Sequence, residues 1–211
     1  SATHVDAHFQ IGRIHEVDGD LARAEAAYRD QIGVRPDHYG ARLHLGRALV
    51  ATGKISEAGE MLESVVNQPS EFQRRAVLAL AGLYQRTREY GRAETVFDRY
   101  IATLEPDEQS LYHDVGLVTA GEGTEDFRSL PIGEQRARAQ AFWARLDPAP
   151  ATEANERLVE HYRRVATARE HLGAHRHPWD DRGEAYIRFG EPDHVSRSGN
   201  IVLETDPRVV A

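Results

Sequence analysis

The residues best equipped for chemistry gather between positions 171 and 186 of this 211-residue chain. His171, His175 and His177 stand shortly before Asp180 and Asp181. Imidazole and carboxylate groups together are the ligand set of a zinc site and the donor–acceptor set of acid–base catalysis. The spacing argues against a metal. Gly173 breaks the helix that would align His171 with His175, and no His-Glu-x-x-His pattern exists. Asp181, Arg182 and Tyr186 form an alternative catalytic set, a carboxylate with a charge partner and a phenol. The structural account of the same residues is a turn in which Arg182 braces Asp180 and Asp181 and orders the strand that follows. Trp179, like Trp143, offers a face for stacking on a sugar or peptide, although indoles more often fill cores. The chain has no cysteine, no glycine-rich phosphate loop followed by lysine and no Gly-x-Ser-x-Gly elbow. No catalytic residue, metal or cofactor is therefore assigned, and an enzyme or ligand-binding domain at these residues stands as the second reading.

The elements that must position any site fall into two halves. In the first, three segments beginning at Ala7, Ala41 and Ala76 align on one another. Gly12 recurs as Gly46 after 34 residues and as Ala81 after 35, and Ala24 recurs as Ala58 and Ala93 at the same intervals. Tyr28, Leu62 and Phe97 follow these alanines by four. A period of this length marks a helix-turn-helix repeat whose small residues let paired helices approach closely. The turns are "DGD" at 18–20 and "TGK" at 52–54, and Pro36, Pro69 and Pro106 lie at or near the ends of the units. These segments resemble tetratricopeptide repeats over residues 1–106, although His8, Arg42 and Val77 occupy the usual Trp position.

The resemblance implies a superhelix whose concave wall comes from each first helix. The repeat phase projects Asp6, Phe9, Arg13 and Glu16 there from the first unit, then Leu43, Arg47 and Val50, then Arg75, Leu78, Gln85 and Arg86. Phe9, Arg13, Leu43, Arg47, Arg75, Leu78 and Arg86 are the candidate groove. Arginines among apolar neighbours suit a peptide with carboxylates and hydrophobic anchors. Phe9 and Arg13 stand where the family's chaperone-tail clamp has Lys and Asn, so that clamp is not expected. The last repeat should expose an apolar face that the second half of the chain would cap.

After Pro106 the repeat stops, and 111–131 shows no helical stripe of useful length. Helices are expected over 133–147 and over 153–172, the latter capped by Thr152. "EAYIRFG" at 184–190 alternates apolar and polar residues, predicting a strand, and 194–206 reads as a hairpin around Gly199-Asn200. The expected fold is thus mainly α, a solenoid of three helix-turn-helix repeats followed by a small α+β domain of two helices and a short antiparallel sheet. Residues 142–156, 180–195 and "YHDVGLVTAGEGTEDF" upstream resemble the GWxTD domain, a bacterial module, over roughly 107–195; the second domain is set at 107–211, truncated at its C-terminal end. Phe142, Trp143, Asp147, Asn155, Trp179, Asp181, Arg182 and Tyr186 are among the matching positions. The naming motif is altered to "PWDD", with Pro178 before the Trp. The resemblance carries no assigned activity.

A net charge of −8 argues against nucleic acid as the main partner, since phosphate binding needs a basic face. No apolar run reaches membrane-spanning length. The start "SATHV" lacks an initiator Met and reads as a trimmed end, so the expected compartment is either the cytoplasm or, after loss of a leader, outside it. The reading is a non-enzymatic interaction scaffold whose groove takes a partner protein or peptide bearing acidic groups.

Overall fold

A computed structural model of the chain describes residues 6–119, 126–147, 154–173 and 178–192. The first half is three helical hairpins: α1 (Ala7–Val17) with α2 (Leu21–Val34), α3 (Tyr39–Ala51) with α4 (Ile55–Val66), and α5 (Gln73–Arg86) with α6 (Tyr90–Ile101). Each hairpin packs on the next through α2 against α3 and α4 against α5. Small residues fix how closely the helices approach. A Cβ on Gly12 would lie 2.4 Å from the Tyr28 ring, and one on Gly46 would lie 2.6 Å from Leu62 Cγ. Tyr28 and Leu62 thus sit on the glycine of their own hairpin. Ala24, Ala58 and Ala93 are fully buried.

Equivalent turns share one backbone solution. Gly19 and Gly53 both adopt φ 78°, and Arg88, at the matching place in the third hairpin, adopts φ 62°. Glycine reaches this left-handed region without penalty, whereas Arg88 accepts strain. Buried Glu25 joins the first two hairpins, accepting from Thr52 Oγ1 at 2.7 Å and pairing with Lys54 Nζ at 2.5 Å. Ile11 and Ile14 are exposed, although their counterparts Leu45, Ala48, Leu80 and Leu83 are buried against a preceding hairpin.

The second half adds α7 (Pro106–His113), α8 (Ile132–Arg145), α9 (Glu156–His171) and α10 (Asp181–Phe189). Helix α9 is the hub and touches α5, α6, α7, α8 and α10. Its face of Val159, Tyr162, Val165 and Ala166 is fully buried, with the Tyr162 ring 5.8 Å from Phe97. Arg169 pins the hub at two places, bonding Glu108 at 2.6 Å and donating to the Pro178 carbonyl at 2.7 Å.

Three expectations change here. The chain is mainly helical, but the described residues contain no strand, and 184–190 belongs to α10 instead. The alternation of Ala185, Ile187 and Phe189 misleads because Ala185 and Phe189 are exposed, while Gly183, Tyr186 and Ile187 form a helical stripe facing inward. Asp180 starts the helix by accepting from the amides of Arg182 and Gly183, and Gly190 ends it at φ 88°. The predicted hairpin at 194–206 lies outside the described residues. Residues 111–113, from the stretch without a useful helical stripe, complete α7, whose Pro106 opens the helix because its missing N–H needs no partner in the first turn. The cap of α9 is Asn155, accepting from the amides of Arg157 and Leu158; Thr152 lies outside the described residues.

Candidate functional site

The repeat stacks α1, α3 and α5 side by side, so residues in equivalent phase line one wall. Arg13, His44, Arg47, Arg75, Leu78 and Ala79 surround a cavity of about 540 Å³, and Glu170 and His171 from α9 close one side. This volume admits one or two side chains of a bound segment. Three of the projected arginines, with Leu78, are thus together.

Their electrostatic states differ. Arg75 Nε bonds Glu170 Oε1, and Arg74 Nη1 lies 3.7 Å from the other oxygen of the same carboxylate. Arg13 and Arg47 have no ion-pair partner among the described residues. Arg13 lies 6.0 Å from the centroid of the Phe9 ring, which packs on His38 and His44. Beneath them Glu16 accepts from Tyr28 Oη at 2.6 Å and bonds His44 Nδ1 at 2.7 Å. Burial alone would raise the Glu16 carboxyl; the bonds from Tyr28 and His44 outweigh it and hold the group below its ordinary range, ionised. Burial lowers the His44 imidazole against the pull of Glu16. The groove therefore presents two guanidinium groups without a close ion pair, Arg47 feeling the Glu16 charge nearby, and an aliphatic floor, with one arginine already engaged.

The other projected residues stand elsewhere. Leu43 is fully buried and belongs to the core, because its side of α3 faces the neighbouring helices. Arg86 is exposed in the last turn of α5, in the phase of Val17 and Ala51, and does not line the cavity. Phe9 is half-buried behind Arg13. His44, Ala79, Glu170 and His171 are cavity residues that the repeat phase did not indicate. His44 and Ala79 follow Leu43 and Leu78 directly, so a projection shifted by one residue finds them. Glu170 is 95 residues from Arg75 and carries no local signal.

The second candidate region resolves into helix-capping contacts. Arg182 Nη2 pairs with Asp180 Oδ2 at 2.7 Å, and that hydrogen bond is the main cause lowering the Asp180 carboxyl. The Tyr186 hydroxyl donates to Glu191 Oε1 at 2.6 Å and accepts from Arg163 Nη1 at 3.1 Å, with burial pushing the phenol upward. Tyr186 thus bonds Arg163 and Glu191, and Asp181 is exposed. Trp179 is half-buried on the core, and a Cβ on Gly183 would fall 2.5 Å from its Cβ, so the base of its side chain packs on α10. His171 ends α9, while His175 and His177 lie outside the described residues. No group of three or more His, Cys, Asp or Glu among the described residues could hold a metal ion. No helix among them is long and apolar enough to cross a membrane.

Comparison with known proteins gives a tetratricopeptide repeat model over residues 18–74, another over 76–112, and a GWxTD domain model over 107–203. A curated protein of Sinorhizobium fredii (strain NBRC 101917 / NGR234), described as "Uncharacterized protein y4yS", is 32% identical over 120 residues. The matched stretch covers 56% of this chain and 64% of that protein. No solved structure matches.

Proposed function

Starting from a chain that carries tetratricopeptide repeats and a GWxTD domain, we propose that its concave groove binds an acidic segment of a partner protein. The repeats bring a protein–protein interaction role; the groove makes that role specific, without enzymatic chemistry. The observation that carries the reading is the pair Arg13 and Arg47, both exposed and without an ion-pair partner among the described residues, beside the aliphatic Leu78 and Ala79. A guanidinium fork binds a carboxylate through two parallel hydrogen bonds, and an apolar floor takes a neighbouring side chain. Glu170 against Arg75 is an internal example of the contact a partner would make. The GWxTD part caps the open end of the solenoid: α9 lies on α5 and α6, where a further repeat would otherwise stack.

The test is fluorescence anisotropy of labelled peptides in which Asp or Glu flank Leu, against Asn/Gln counterparts. The acidic peptides should bind at least ~10-fold more tightly, and Arg13→Glu with Arg47→Glu should abolish that preference. Arg86→Glu, outside the cavity, should leave it intact. Equal binding of both peptide sets, or an acidic preference that survives the double reversal, overturns the reading.

A further inference from the structure

A second cavity, of about 250 Å³, lies between α8, α9 and α10, away from the concave groove. One stripe of α9 supplies half of its lining residues: Arg157, Glu160, His161 and Arg164 recur at helical spacing. Trp143 closes it from α8, and Ile187 and Arg188 close it from α10. Asn155 holds the α8–α9 corner, donating from Nδ2 to the Trp143 carbonyl at 2.5 Å while its Oδ1 caps α9.

Two buried polar atoms of the lining residues have no hydrogen-bond partner. They are Nε1 of Trp143 and Nδ1 of His161. His161 Nε2 lies 3.1 Å from the Tyr112 carbonyl. A carbonyl only accepts, so Nε2 carries the proton and Nδ1 of the neutral ring is an acceptor. Burial holds this imidazole down to about 4, so it is neutral near pH 7. The indole N–H is a donor without an acceptor, and the two rings lie 5.0 Å apart at 36°. Unmet buried groups of this kind cost about 1–3 kcal/mol each. A hydroxyl donates and accepts, so one such group answers both.

Charge selects the rest of the ligand. Glu160 is already bound by Arg163 through two bonds, of 2.7 and 2.9 Å, and by Arg164 Nε at 2.7 Å. Arg164 also donates to the Ile187 carbonyl at 3.3 Å. Arg157 and Arg188 are exposed and have no ion-pair partner among the described residues. Two open guanidinium forks suit a planar two-oxygen anion. We propose that this cleft binds a small organic acid carrying a carboxylate and a hydroxyl group, the carboxylate between Arg157 and Arg188 and the hydroxyl between Trp143 and His161. The volume of about 250 Å³ fits a molecule of that size.

Lactate and propionate differ by one hydroxyl and serve as probes, with inorganic phosphate as the third. Each is titrated into the intact chain while the Trp143 indole N–H signal is followed by nuclear magnetic resonance. Lactate should move that signal saturably below ~10 mM, with propionate and phosphate at least ~10-fold weaker. Arg157→Gln with Arg188→Gln, both at exposed positions, should weaken lactate at least ~10-fold with an unchanged melting temperature. The proposal fails if no saturable shift occurs, if propionate or phosphate binds as well as lactate, or if the double variant binds normally.

Discussion

Gly183→Ala probes the seating of Trp179 on α10, where the sequence pattern and the structure diverge most. Two effects of opposite sign compete. Alanine is favoured over glycine inside a helix by about 1 kcal/mol. Against that, the new Cβ would lie 2.5 Å from Trp179 Cβ and 2.8 Å from its Cγ. Carbon atoms meet comfortably at about 3.5–4.0 Å, so the overlap is about 1 Å. The obstructing atoms adjoin the Trp179 backbone, one residue before the Asp180 cap, and cannot swing aside like the end of a long side chain. Overpacking of this kind costs about 1–3 kcal/mol. The clash should win, leaving a net loss of ~1 kcal/mol and a melting temperature lowered by about 2–4 °C. Far-ultraviolet circular dichroism gives the melt, and tryptophan fluorescence reports the loosening of Trp179. A melting temperature raised by about 2–4 °C, the helix-propensity gain alone, would mean that position 183 faces open space, and would refute the packing of Trp179 on α10.

Three other outcomes follow from single features. Arg88→Gly should stabilise the chain by about 0.5–1 kcal/mol, because it relieves φ 62° where the other two repeats already use glycine; denaturant unfolding checks it, and equal stabilisation by Arg88→Ala would contradict the backbone cause. Asn155→Ala should cost about 1–2 kcal/mol by removing the α9 cap and the bond to the Trp143 carbonyl, with Asn155→Asp keeping the cap alone. His161, lowered by burial from 6.5 to about 4, stays neutral in the folded state while the unfolded chain binds the proton. Its contribution is therefore complete above about pH 6.5 and is lost as the pH falls toward 4; an imidazole titration midpoint near 6.5 in the folded chain would contradict it.

The repeats were readable because close packing forces small residues into fixed phase: Gly12 and Gly46 cannot carry a Cβ beneath Tyr28 and Leu62. The same phase brought Arg13, Arg47, Arg75 and Leu78 to one wall, but misplaced Leu43, whose side chain points into the core. Helix α10 was misread because a two-residue alternation at 185, 187 and 189 overlaid a true helical stripe at 183, 186 and 187. The signals for the helix were present in Asp180 as cap and Gly190 as stop, and they outweigh periodicity in so short a segment. Contacts such as Glu170 with Arg75 arise only when α9 folds back on α5, and no local pattern announces them. The α9 stripe of Arg157, Glu160, His161 and Arg164 was legible as helical spacing, but its role depends on α8 and α10 arriving beside it.

Mapping a bound peptide by backbone amide chemical shifts tests the central claim most directly. An isotope-labelled chain is titrated with the acidic peptide of the anisotropy assay, and the shifted amides are placed on the fold. Perturbations should concentrate on the concave faces of α1, α3 and α5, around Arg13, Arg47 and Leu78, and fade as salt screens the exposed arginines. Shifts gathered instead at Trp179, Arg182 and Tyr186, with α1 and α3 silent, would contradict the groove as the binding surface.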